Sequence, residues 1–180
     1  MSSEGRTEAW PRFRALALVP VRWSGLALAV AFAACGMWTE FAVAMLVALA
    51  QVIAWRSALP REWECAVSAA SLFAAVSSYL LLFERFPWWD IPTHFVLNGL
   101  VAVLVARVLR SGDPTPAVIV ASGAAVAVVW ELLEVAGARW VDSSIHTAPA
   151  DTVGDIIAGI LGAVVAALLW RRGRGQEAEE

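Results

Sequence analysis

Long apolar runs dominate this chain and restrict it to one class of fold. Six stretches of about 20 mostly apolar residues follow one another, the length a helix needs to cross the hydrocarbon core of a bilayer. They are read as spans at about 15–38, 40–58, 63–83, 90–109, 115–137 and 152–170. Lipid offers no partner to an open backbone N–H or C=O, so each run must close its own hydrogen bonds as a helix. Hydrophobic residues make up 60% of the 180 positions, above the roughly one-half share of a soluble domain. The expected fold is all-α: a polytopic membrane bundle of six transmembrane helices at 15–170, between polar tails at 1–14 and 171–180. Pro60, Pro87, Pro114 and Pro149 fall between the runs, where helix breakers belong. Pro92 suits the first turn of the fourth helix, where its missing N–H costs nothing.

Arginine orients the bundle. In a six-span arrangement Arg6, Arg12, Arg14, Arg22, Arg56, Arg61, Arg107, Arg110, Arg171, Arg172 and Arg174 fall on one side. Only Arg85 and Arg139 fall on the other. The positive-inside rule then puts both termini in the cytoplasm. Trp23, Trp38, Trp55, Trp63, Trp88, Trp89, Trp140 and Trp170 mark the span ends, as an aromatic belt does. An odd number of spans would scatter the arginines. The net charge of −3 hides this segregation, and no basic patch with interleaved aromatics points to nucleic acid.

Two cysteines, Cys35 and Cys65, lie in apolar runs and are read as buried small hydrophobes rather than a disulfide or metal pair. The stretch ending Ala33-Ala34-Cys35-Gly36 loosely resembles a lipoprotein signal. Phe32, three before the cysteine, is unusual there, so an uncleaved first span is preferred.

Against this apolar background six side chains stand out as three helix-spaced pairs. Asp90 and His94 are four apart, Glu131 and Glu134 three apart, Asp151 and Asp155 four apart. Residues at these spacings share one helix face. The six-span topology places His94, Glu134 and Asp155 at similar depth beneath the outer surface, so one shared site is expected. A carboxylate at the bilayer centre costs about 2.5–3.5 kcal/mol or more. Several together must be protonated or neutralised by cations. The expected solution is a divalent metal site formed by Asp90, His94, Glu131, Glu134, Asp151 and Asp155. Carboxylates with one imidazole suit Mn²⁺, Mg²⁺, Ca²⁺ or iron, and also Zn²⁺. Asp90 and Asp151, at helix starts, can alternatively cap free N–H groups. Glu131 and Glu134 lie near a helix C-terminus, where the dipole disfavours acids.

Glu131 and His146 are candidate catalytic bases, His146 from an outer loop that could cover the site. Asn98, one turn below His94, either orients the imidazole or bonds across helices, the second being preferred. Gln51 and Ser68, Ser71, Ser77 and Ser78 are read as packing groups. In the last span Gly154, Ala158, Gly162 and Ala166 recur at a spacing that permits close helix approach, and Gly159 and Gly162 lie near the Asp155 face.

The order Asp90-x-x-x-His94, Glu131-x-x-Glu134, Asp151-x-x-x-Asp155 resembles the YjdF-like family of bacterial inner-membrane proteins over about 88–166. The closing DTVGDIIAGILGA also resembles, more distantly, the last helix of VanZ-like proteins, which are linked to glycopeptide-antibiotic tolerance. Where the YjdF-like pattern carries Gln-Gly-Asp, this chain reads HTAPAD. The resemblance implies a membrane class and a shared polar site, with no defined reaction. The favoured expectation is a metal-dependent hydrolase acting on membrane lipids or lipid-linked envelope substrates. The alternatives are an ion or small-molecule transporter and a non-catalytic envelope protein of VanZ type.

Overall fold

The computed structural model describes residues 9–86, 88–110, 112–141 and 147–177. Among them there is no strand. Seven helices follow in order: α1 (Ala9–Ala34), α2 (Trp38–Arg56), α3 (Arg61–Tyr79), α4 (Leu82–Arg85), α5 (Asp90–Leu109), α6 (Pro116–Trp140) and α7 (Pro149–Glu177). The α2, α5 and α6 helices, and α7 as far as Arg174, are long and apolar enough to cross a membrane. The α1 helix contributes a shorter apolar stretch, Val21–Ala34. The α3 helix begins Arg-Glu-Trp-Glu and carries four serines, which dilute its hydropathy. All six expected runs are thus helical, while four among the described residues have the length and apolarity of a span.

Several boundaries differ from the sequence reading. The first helix stops at Ala34 because Gly36 takes φ 72°, a left-handed value that glycine adopts without strain. The Met37 N–H bonds the Phe32 carbonyl and the Gly36 N–H bonds the Ala33 carbonyl, a Schellman closure. The third helix stops at Tyr79 because Leu81 turns to φ 56°, with no glycine or proline there to announce the break. Pro149 opens α7 instead of lying in a connection, as proline at the first helical position can. At its other end α7 runs on through Arg171, Arg172 and Arg174 to Glu177, despite the weak helix formers Gly173 and Gly175.

The chain divides into two compact units at Ala75/Val76. In the first, α1 and α2 pack together. The Gly25 N–H donates to Gln51 Oε1 at 3.1 Å, and Gln51 Nε2 donates to Ser24 Oγ at 2.9 Å. Gln51 is fully buried and works as the expected packing group. The Arg22 guanidinium forms a two-point pair with the buried Glu64 carboxylate and lies over the Trp55 ring, 5.5 Å from its centroid. Both cysteines are exposed, which corrects the expectation of burial: Cys35 lies in the turn after α1 and Cys65 on an outer face of α3.

The second unit holds α5, α6 and α7, each packed on the other two. Gly154 of α7 faces Ile91 of α5, and further along Gly162 faces the Phe95 backbone, so these helices run parallel. Gly123 faces Ala102 and Ala163, while Gly159 faces Ala127, so α6 runs antiparallel to both. The α5–α7 crossing is the tightest contact: a Cβ added at Gly162 would overlap the Phe95 carbonyl, and one at Gly99 would sit 2.6 Å from the Gly162 carbonyl oxygen. On α7 the buried positions are Asp155, Ala158, Gly159, Gly162, Ala163, Ala166, Ala167 and Trp170, one helical stripe of mostly small residues. Trp170 is 4% exposed, so it ends this stripe and does not join the aromatic belt.

Two stability predictions follow from these contacts. Gly162→Leu should destabilise the folded protein by about 3 kcal/mol, the upper range for overpacking, because the obstacle is backbone. Gly173→Leu, with open space around it, should not shift the thermal transition in detergent. In the first unit, Arg22→Ala should cost about 3–5 kcal/mol by stranding the Glu64 charge. Removing both partners, Arg22→Ala with Glu64→Ala, should cost less than the single change in the same melting experiment.

Candidate metal centre

Parallel α5 and α7 begin at the same end of the second unit, where antiparallel α6 finishes. This places Asp90 and His94 from the first two turns of α5, Glu131 and Glu134 from the later part of α6, and Asp155 from the second turn of α7 together. Two groups of potential ligands result, each with its three ligand atoms within 4.8 Å of one another: Asp90, His94 and Asp155; and His94, Glu131 and Glu134. His94 belongs to both.

The imidazole lies between the two groups. Its Nε2 is 3.2 Å from Asp90 Oδ1, and its Nδ1 is 4.0 Å from Glu131 Oε1. The first distance allows a hydrogen bond and the second does not. A tetrahedral ion with bonds of about 2.1 Å holds its ligand atoms about 3.4 Å apart, so this pair would have to close by roughly half an ångström to share one ion. Asp90 is the first residue of α5, and no side chain caps that helix. Its carboxylate lies against His94 Nε2 instead.

Burial sharpens the electrostatics. Glu131 is 6% and Asp155 1% exposed, and neither Glu131 Oε1 nor Asp155 Oδ1 has a hydrogen-bond partner. The Trp130 indole N–H donates to Glu134 Oε1 at 2.8 Å. Glu134 is half-buried, as is Asp151. Asp151 lies in the first turn of α7, where the helix dipole favours an acid, and belongs to neither ligand group. His146 lies outside the described residues. Asn98 Nδ2 donates to the Gly123 carbonyl at 3.0 Å, so this residue staples α5 to α6 and leaves the imidazole to Asp90.

Two contacts escaped the sequence reading. The Trp130–Glu134 bond had a local signal, an indole four residues before a carboxylate on one helix. The Arg22–Glu64 pair had none, because its members are 42 residues apart.

The fold and this polar cluster define a helical membrane protein with several apolar helices. The chain belongs to the DUF2238 family of predicted membrane proteins, whose family model matches residues 13–175. No curated protein and no solved structure matches it.

The cluster's charge state can be tested through stability. In chelator-treated protein, Glu131→Gln and Asp155→Asn should each raise the melting temperature, by relieving buried like charge. With millimolar Mn²⁺ present the same changes should lower it, by removing an ion ligand. A change in the same direction under both conditions would show that no cation compensates these carboxylates.

Proposed function

We propose that this protein is a metal-dependent hydrolase of the bacterial inner membrane, acting on lipids or lipid-linked envelope substrates. One observation carries the reading: carboxylates and an imidazole from three apolar helices meet where two buried oxygens lack any partner. An unpaired buried charge is expensive, and a divalent ion compensates several carboxylates at once. The donor set is hard oxygen plus one imidazole, which fits Mn²⁺, Mg²⁺, Fe²⁺, Ca²⁺ or Zn²⁺. The order of the site residues supports placement among YjdF-like proteins.

The arginine distribution supports six spans with both termini cytoplasmic. That topology sets the cluster just beneath the outer surface, within reach of lipid head groups. A bound ion there would activate water or polarise a phosphoryl or acyl oxygen. Of the chain's own groups, Glu131 is positioned to accept a proton, and the Trp130 N–H holds Glu134 in place. Asp90 fixes the orientation of the His94 ring.

The transporter reading is less well supported. A conduit needs polar groups beyond the site toward the other face. Below Asn98 the described buried positions include Ala102, Val103, Leu104, Ala106, Ile119, Ala163, Ala166, Ala167 and Trp170, a mostly apolar core whose polar groups are the Ser122 hydroxyl and the Trp170 indole.

Metal analysis tests the proposal. Purified wild-type protein should carry divalent metal, and Glu134→Ala and Asp155→Ala should each carry clearly less of it while remaining helical. Metal-loaded wild type should release phosphate or fatty acid from lipid in detergent micelles, and chelation should abolish this. Wild type with negligible metal would remove the reading. Stoichiometric metal without turnover on any lipid class would leave a structural ion in a non-catalytic envelope protein.

A further inference from the structure

We infer that the centre holds two divalent ions, one on each face of the ligand set, with the His94 ring between them. This rests on the reading of the cluster as a metal centre and goes beyond it. Each of the two ligand groups is a complete set of one imidazole nitrogen and two carboxylates. Asp90 lies at Nε2 and Glu131 at Nδ1, so the groups approach opposite sides of the ring.

Each group also contains its own buried, unpartnered oxygen. In the first it is Asp155 Oδ1, on a residue 1% exposed, and in the second Glu131 Oε1, on a residue 6% exposed. A single ion on one side would satisfy one of these oxygens and leave the other stranded in a span. Charge gives the same result. The four carboxylates Asp90, Glu131, Glu134 and Asp155 carry four negative charges when ionised. One divalent ion leaves two of them uncompensated, and two ions compensate all four. When both ring nitrogens ligate, the imidazole releases its remaining proton to solvent and contributes one negative charge. Proton release on metal binding is the usual accompaniment of ligand deprotonation. The net charge left in the membrane is then smaller with two ions than with one.

Each group has one half-buried carboxylate, Asp90 in the first and Glu134 in the second, and its other members are buried. The first set links α5 to α7 and the second links α5 to α6.

The test is a metal count on the full-length protein in detergent, stripped with chelator, reloaded with Mn²⁺ and freed of excess. Wild type should retain two Mn²⁺ per chain. Asp155→Asn and Glu134→Gln should each retain one, and His94→Ala less than one. The electron paramagnetic resonance spectrum of wild type should be broadened by coupling between neighbouring ions, and each one-ion variant should show the six lines of isolated Mn²⁺. One ion per wild-type chain, with an uncoupled spectrum, would overturn the two-ion assignment and leave the metal centre standing. No retained metal would remove both. Loss of all metal from either amide variant, with helicity intact, would also overturn the assignment. If a variant fails to fold, the wild-type count and spectrum decide the matter.

Discussion

Everything at the polar end of the second unit depends on how closely α5 and α7 can approach. Gly162 lies directly on the Phe95 backbone, and Gly99 lies against the Gly162 carbonyl. Phe95 is the neighbour of His94, and Asp155 is seven residues before Gly162, two turns along the same face. A side chain at Gly162 would push the helices apart and separate Asp155 from the imidazole. In lipid no hydrophobic drive brings helices together, so backbone proximity and interhelical hydrogen bonds must do so. The Asn98 amide on the Gly123 carbonyl adds α6 to this pair.

The site is an electrostatic problem posed by that packing. Small residues bring helix faces together, and those faces carry acids. The N-terminal end of α5 favours the negative charge of Asp90 in its first turn, whereas Asp155, Glu131 and Glu134 lie more than a turn from their helix ends and gain little from backbone dipoles. Trp130 gives Glu134 a partner, while Glu131 Oε1 and Asp155 Oδ1 are left unsatisfied. The core below the cluster is mostly apolar.

Much of this was legible in the residue order, for a definite reason. Periods of three and four fix which side chains share a helix face, and spans of known direction fix their depth. Together they led to the expectation that His94, Glu134 and Asp155 share one level before any packing was known. Helix ends were less legible. Gly36 marks its turn openly, whereas the left-handed turn at Leu81 has no glycine or proline signal. Cys35 and Cys65 show the other weakness: apolarity in a membrane chain does not distinguish a face turned to protein from one turned to lipid.

The sequence by itself determined that the chain is helical and apolar, and which polar residues share a face, because both follow from local backbone geometry and from the solvent. Only the tertiary structure decided the partners. It gave the Asp90 carboxylate to His94, left Asp151 outside both ligand groups, and paired Arg22 with Glu64 across 42 residues. It also divided the cluster into two ligand sets around one imidazole. Such choices depend on rotation and register between helices to within an ångström or two, set by the fit of side chains distant in sequence.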